Sequence, residues 1–137
     1  MLRINRTEEQ AVRLALCLAE SGEQRTLAEL AARENLPEPS VAKLLNLLRQ
    51  GGVVTATRGR NGGYTLARSA EAVSVAEVLR SLNPEAVAEV HCISDPESAE
   101  SCPRVTDCGL RSVFRHLHVQ VATLLEGTSL ADLMRAE

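Results

Sequence analysis

The chain has 137 residues, of which 45% are apolar, and its only aromatic residues of the Phe, Tyr and Trp type are one Phe and one Tyr. This is enough to bury the core of one domain built chiefly from Leu, Val and Ala, and it excludes a disordered chain. Because aromatic residues are nearly absent, the core must be Leu, Val and Ala, which favours a mostly helical protein. No apolar run has the length of a signal peptide or a membrane span, so we expect it to be cytoplasmic and without membrane contact. Residues 1–68 carry ten Lys or Arg against seven Asp or Glu, whereas residues 69–137 carry five against eleven. The basic half is therefore the part to test for nucleic-acid binding.

Three helices are predicted in the first fifty residues. In a capping box, a side chain before the helix and another three residues later bond each other's backbone. Thr7 with Gln10 would open a first helix near Glu8, and Thr26 with Glu29 would open a second that runs to about residue 34. A third helix follows the proline-rich turn at 36–40 and stops at the glycine pair 51–52. Its core-facing positions are Val41, Leu44, Leu45, Leu47 and Leu48.

A two-stranded hairpin is predicted after these helices. Residues 53–58 and 64–67 have strand character, and the turn between them is rich in glycine and arginine. Three helices followed by a basic hairpin are the order of a winged helix-turn-helix, in which the third helix enters a major groove and the wing reaches backbone or minor groove. The candidate DNA-binding residues lie on the polar face of the third helix and on the wing: Ser40, Lys43, Asn46, Arg49, Arg58 and Arg60. The alternative is that they form an ordinary solvated surface.

The second half of the chain predicts three further helices. Ser74 with Glu77 opens one that ends at residues 83–84, and Ser129 with Asp132 opens a short last one. Between them, residues 110–125 carry apolar side chains at helical spacing. This long helix would either pair with its copy in a dimer or pack within the chain. We expect a DNA-binding domain at 1–82, a cysteine loop at 83–109, and a dimerisation unit at 110–137.

Three of the four cysteines lie in a loop without helical or strand periodicity. Cys92, Cys102 and Cys108 are separated by nine and five residues, and prolines interrupt the segment. In a reducing compartment, clustered thiols bind metal or sense redox change more often than they form disulfides. The spacing lacks the close pairs of most zinc sites and is compatible with an iron–sulfur cluster, zinc or free redox-active thiols. His91 is a further candidate ligand, whereas Cys17 lies among core positions.

The chain resembles the Rrf2 type of bacterial winged-helix transcription regulators. The resemblance rests on the wing motif at 58–67, the three-cysteine loop before a long helix, and the ending Thr-Ser-Leu-Ala-Asp-Leu at 128–133. It implies a homodimer crossed through the long helix, operator DNA bound by the third helix and the wing, and an iron–sulfur cluster. In that arrangement the cluster is held by Cys92, Cys102 and Cys108, and Arg58 enters the minor groove.

One departure from the family pattern points to the NsrR-like branch. The IscR-like branch has a histidine three residues after the third cysteine, where this chain has Arg111. In the NsrR-like branch, a carboxylate from the first helix of the partner subunit is the fourth cluster ligand. The matching residue in this chain is Glu9, and the alternatives are Glu8 and His91. The resemblance implies a repressor that leaves DNA when nitric oxide reacts with its cluster. The expected cluster is 4Fe–4S, with 2Fe–2S as the alternative.

Other functions remain open from the residues alone. Within the family, the signal could be iron, cluster supply or redox state. More distant alternatives are a zinc-stabilised or an electron-carrying protein. We do not expect an enzyme, because the sequence has no Gly-rich phosphate cradle and no nucleophile paired with a base.

Overall fold

The computed structural model describes residues 4–86, 97 and 100–136. Three helices, a hairpin and three more helices follow one another in this part of the chain. They are α1 (Arg6–Ser21), α2 (Leu27–Glu34), α3 (Glu38–Gln50), β1 (Val54–Thr57), β2 (Gly63–Leu66), α4 (Val75–Leu82), α5 (Gly109–Gly127) and α6 (Leu130–Arg135). This order confirms the predicted winged helix-turn-helix with a long helix near its C-terminal end. None of the described helices is both long and apolar enough to cross a membrane.

Local sequence explains where most of these helices begin. The predicted capping boxes are present at α2, α4 and α6, each with a Thr or Ser oxygen accepting from the backbone N–H three residues later. The later carboxylate accepts in return from the N–H of the capping residue. Each cap stabilises its helix by about 1 kcal/mol. All three depend on residues only three positions apart, so the sequence pattern is sufficient to find them.

Helix α1 begins earlier than predicted, and the Thr7–Gln10 capping box is wrong. Asn5 is the capping residue: its Oδ1 accepts from the backbone N–H of Glu8 at 2.9 Å, and Glu8 Oε2 accepts from the N–H of Asn5 at 2.8 Å. Two capping patterns overlap here, one at residues 5–8 and one at 7–10. The pattern with Glu8 is favoured because a carboxylate interacts more strongly with the positive end of a helix than a neutral amide does.

One apolar core joins α1, α2, α3 and the start of the wing. Leu14, Leu30, Leu45 and Val53 are fully buried in it. Leu47, predicted among the core positions, is only half-buried, whereas the other four predicted positions of α3 are buried. The core holds α3 against α1 and α2 and leaves its opposite face to solvent.

The last helix packs into this core rather than extending α5. Leu130, at the start of α6, is fully buried in the same cluster as the α1 residues. Two backbone hydrogen bonds fix the position: Leu130 N–H donates to the carbonyl of Val73, and Val75 N–H donates to the carbonyl of Thr128, both at 2.9 Å. The segment that ends α5 is thereby anchored beside the start of α4.

Candidate functional site

The exposed face of α3 carries the polar residues predicted from the sequence. Val41, Leu44, Leu45 and Leu48 are buried on the other side of the helix. Positions three residues apart lie close to one face of an α-helix, so the polar set forms a continuous strip. All four members are exposed: Ser40, Lys43, Asn46 and Arg49.

Two members of this strip are already linked to each other. Arg49 Nη2 donates a hydrogen bond to Asn46 Oδ1 at 2.9 Å. With Asn46 Oδ1 occupied, the amide N–H groups of Asn46 and the remaining N–H groups of Arg49 are the donors that this pair still offers. Donors of both kinds are suited to phosphate oxygens and to acceptor atoms on base edges in a major groove.

The wing is a short antiparallel hairpin with exposed arginines at its tip. Thr57 pairs with Gly63 at the end of the ladder, and the hydroxyls of Thr55 and Thr65 lie 2.9 Å apart across it. Arg58 and Arg60 follow β1 and are exposed. The predicted first strand, 53–58, extends one residue beyond β1 at each end, and the predicted second strand, 64–67, is shifted by one residue from β2. The hairpin and its basic tip are confirmed.

Glycine is required by the shape of the tip. Gly59 has a φ of +113°, which side chains of L-residues rarely allow. At Gly62, whose N–H donates to the carbonyl of Gly59 at 2.9 Å, an added Cβ would lie 2.4 Å from the carbonyl oxygen of Thr57. The turn is therefore tightly closed, and the two arginines project from a backbone with little room to rearrange.

Sequence reasoning missed the contacts that brace this wing against the helices. Arg25, between α1 and α2, exchanges two backbone hydrogen bonds with Tyr64 of β2, at 3.0 and 2.7 Å. Nearby, Gln24 Nε2 donates to the backbone carbonyl of Asn61 at the tip. A single residue pairing with a strand has no periodicity, so no signal in the sequence could have identified it.

The described part of the cysteine loop contains two free thiols, of which Cys108 lies at the start of α5. Cys102 and Cys108 are both unpaired and half-buried, among neighbours that are exposed. The loop turns between them, with the N–H of Val105 donating to the carbonyl of Cys102 at 3.1 Å. Cys108 is the capping residue of α5 and makes no side-chain cap bond. The predicted ligands Cys92 and His91 lie outside the described residues.

No complete metal site forms within residues 4–86, 97 and 100–136, where no three His, Cys, Asp or Glu side chains cluster as ligands. Cys17 is separate from the other thiols, because it is buried in the core between α1 and its neighbours. Burial raises the pKa of the Cys17 thiol, so it stays protonated and acts as a small apolar side chain. This agrees with its predicted core position.

The two candidate carboxylates on α1 have different environments. Glu8 is buried and its carboxylate is engaged in the capping box with Asn5. Glu9, one residue later, is exposed in the first turn of the helix. Of the two, Glu9 is the carboxylate available to a ligand or to a second subunit.

Helix α5 leaves a large apolar stripe uncovered. Leu110, Leu117 and Leu124 are 59%, 54% and 66% exposed, and no residue of the helix is buried. With Phe114 and Val121 they recur at alternating spacings of four and three residues, the spacing of a helix-pairing seam. Within the described chain, α5 contacts α4, where Arg80 forms an ion pair with Glu126.

Comparisons with known proteins show which family the chain belongs to. The family model described as "Rrf2: Iron-dependent Transcriptional regulator" matches residues 4–136. The protein rrf2 of Nitratidesulfovibrio vulgaris is 30% identical over 136 residues, covering 98% of this chain and 88% of that protein. The HTH-type transcriptional regulator IscR of Cereibacter sphaeroides is 32% identical over 126 residues, covering 92% and 80%.

A solved structure agrees over the whole chain. The global cysteine regulator CymR of B. subtilis superimposes with a TM-score of 0.80 at 25% identity, covering 100% of this chain and 99% of that one. The winged helix-turn-helix, the exposed polar face of α3 and the basic wing are thus found in a chain whose relatives regulate transcription. The protein belongs to the Rrf2 family of winged-helix transcription regulators.

Proposed function

We propose that this protein is a homodimeric repressor that binds operator DNA when it carries an iron–sulfur cluster and leaves DNA when nitric oxide reacts with that cluster. The observation that carries the proposal is the position of α1. Its first turn presents the free carboxylate of Glu9, and the same helix packs against α3, which offers the polar strip to DNA. A ligand held by Glu9 would therefore act directly on the DNA-binding unit.

DNA recognition is assigned to two surfaces of one rigid unit. The strip of α3 would contact phosphates and base edges in the major groove, and the wing arginines would enter the adjacent minor groove, whose negative potential attracts guanidinium groups. The proposed contacts are Ser40, Lys43, Asn46, Arg49, Arg58 and Arg60. The hydrogen bonds of Arg25 and Gln24 hold the wing against the segment between α1 and α2, and both of these helices also contact α3.

Arg58→Ala should weaken operator binding by about 1–3 kcal/mol, because a groove-inserted guanidinium contributes on this scale. Fluorescence anisotropy with a labelled operator, at one fixed salt concentration, measures the change. Arg80→Ala is the matched control: it removes the same charge from an exposed arginine that lies on α4, not on the wing, and that pairs with Glu126 of α5. Equal weakening in both variants would assign the effect to general charge and remove Arg58 from the interface.

The residues present fit a thiolate-held iron centre. Cys102 and Cys108 are free, half-exposed thiols, the second of them at the start of α5, and soft sulfur donors are the usual ligands of iron–sulfur clusters. We assign Cys92 as the third ligand and Glu9 of the partner subunit as the fourth. The cluster supplies a redox-active, nitric-oxide-reactive group, and we favour 4Fe–4S over 2Fe–2S by likeness to the NsrR-like branch.

Loss of this ligation would release α1 and the cysteine loop from each other. Glu9 then no longer ties one subunit's first helix to the other subunit's loop. If the DNA-competent arrangement binds the cluster more tightly than the released one, loss of the cluster shifts the population toward the released arrangement. The coupling free energy between two such sites is typically about 1–3 kcal/mol.

Glu9→Ala should alter the visible absorption spectrum or accelerate cluster loss without destabilising the fold, because Glu9 is exposed. Glu8→Ala is the matched control on the neighbouring residue. It removes half of the capping box and should lower the free energy of unfolding by about 1 kcal/mol while the spectrum stays unchanged. Anaerobic absorption spectra and urea unfolding of both variants check this. An unchanged Glu9→Ala cluster would move the assignment to Glu8, His91 or an external ligand.

The test of the proposed function is a nitric oxide titration against DNA occupancy. Anaerobically purified protein is first analysed for iron and acid-labile sulfide, and then titrated while bound to labelled operator. Release of DNA in proportion to cluster reaction is the expected result. A colourless protein that contains zinc would overturn the cluster assignment in favour of a zinc-stabilised protein.

A second candidate signal is iron or cluster supply, and the matching family model favours it by its own description as iron-dependent. The same operator assay separates the two. If an iron chelator releases the operator DNA and nitric oxide does not, the protein is assigned to iron sensing. If both agents release the operator DNA, the signal is the integrity of the cluster itself.

A further inference from the structure

Arg111 has an environment that the DNA-binding function does not explain. It lies in the first turn of α5, three residues after Cys108, a spacing that puts two residues near the same face of a helix. Its Nε is buried and has no hydrogen-bond partner, and within the described residues it forms no ion pair. Among the described residues, no other buried side-chain nitrogen or oxygen lacks a hydrogen-bond partner.

A buried donor without an acceptor costs about 1–3 kcal/mol, and more when its group is charged. Two further features leave positive electrostatic potential at the N-terminus of α5. The N-terminus of α5 has no side-chain cap, and its first turn contains no acidic residue. The N–H groups of that turn therefore favour negative charge beside Cys108, and Arg111 adds a positive charge to the same turn.

Arginine cannot itself replace the histidine that the IscR-like branch places at this position. A guanidinium remains protonated at any physiological pH and has no lone pair to donate to a metal. It can act on a metal centre only through its charge and its hydrogen bonds. A thiolate-ligated cluster is anionic, so a nearby guanidinium lowers the cost of adding further negative charge to it.

We infer that Arg111 is a positioning residue which compensates the negative charge of the cysteine-bound centre and raises its reduction potential. The inference rests on the proposed function, because it needs the cluster to be present. Reduction of such a cluster would add one electron from an external one-electron donor, dithionite in the test below, with no bond made or broken and no proton taken up. Arg111 favours the reduced state because that state carries one more negative charge.

The test is a reductive titration of the cluster-loaded protein. Wild type, Arg111→Gln, Arg111→Lys and Arg115→Gln are purified anaerobically, analysed for iron and sulfide, and titrated with dithionite in the presence of mediator dyes. We expect Arg111→Gln to have a more negative midpoint potential and Arg111→Lys to remain close to wild type. Arg115→Gln, which removes an exposed charge from the same helix, should leave the potential unchanged.

The outcomes distinguish this inference from the proposed function. Wild-type protein without iron and sulfide would overturn both. A cluster-loaded Arg111→Gln protein with the wild-type potential would overturn the role of Arg111 alone, and so would loss of the cluster from both Arg111→Gln and Arg111→Lys. Cluster loss from the Gln variant only would support charge compensation. If circular dichroism shows that Arg111→Gln does not fold, Arg111→Met, which retains an unbranched apolar stem, is titrated in its place.

Discussion

A Cys108→Ala variant is expected to purify without iron and acid-labile sulfide, and to lose cluster-dependent binding to operator DNA. Cys108 is a half-exposed thiol at the start of α5, outside the apolar core, so its removal deletes a proposed ligand without disturbing the winged-helix unit. Metal affinity falls steeply when a thiolate ligand is removed. Iron analysis, sulfide analysis and fluorescence anisotropy with labelled operator, all on one preparation, measure the three effects.

Cys17→Ala is the matched control for this prediction. It also removes one thiol, but from a buried position in α1. It should retain the full cluster and DNA binding while losing about 1 kcal/mol of stability, as small deletions in a core do. A Cys108→Ala protein with wild-type iron content would show that Cys108 is not a ligand, and a cluster lost only from Cys17→Ala would contradict the whole ligand assignment.

Replacement of Leu117 by glutamate is expected to convert the proposed dimer into a monomer and to weaken operator binding at least about a hundredfold. Leu117 is 54% exposed and central to the apolar stripe of α5. An uncompensated charge buried in an interface costs about 3–5 kcal/mol, and about 1.4 kcal/mol corresponds to a factor of ten in affinity. Operator binding suffers in turn because a two-fold symmetric reader needs both half-sites.

The control for this variant lies on the same helix. Val119 is 50% exposed but two residues away, which places it on another face of α5. Val119→Glu introduces the same charge and should leave both the sedimentation coefficient and operator affinity unchanged. Analytical ultracentrifugation of both variants decides the matter: a dimeric Leu117→Glu protein would show that the stripe is covered by something other than a second copy of this helix.

Features that depend on residues close in the chain could be predicted from the sequence. The capping boxes at Thr26, Ser74 and Ser129 require only an oxygen acceptor and an acid three positions later, and all three are present. The wing is equally local, because its glycines and flanking strands form one short hairpin. Prediction failed at α1, where two overlapping patterns satisfied the same local rule and the choice depended on the relative strength of Glu8 and Gln10 as acceptors.

Some of the site residues could be predicted from the sequence and others could not, again because only local features leave a sequence signal. The exposure of Arg58 and of the α3 strip follows from helical periodicity and turn chemistry, so those residues lie where expected. The choice between Glu8 and Glu9 does not follow from such local patterns, because two adjacent glutamates give the same sequence signal. Only the capping bond of Glu8 with Asn5 distinguishes the occupied carboxylate from the free one.

The amino-acid order alone was thus enough for the fold class, the helix order, the basic wing and the identity of the candidate thiols. These follow from short-range propensity, capping and spacing, which act within one or two turns of the chain. The tertiary structure decided the rest: that α6 packs into the core, that Arg25 and Gln24 brace the wing, that the stripe of α5 stays uncovered, and that Arg111 Nε is buried without a partner. Each of these depends on contacts between residues far apart in sequence, or on which surface of a helix its neighbours leave free, and neither has a periodic signature.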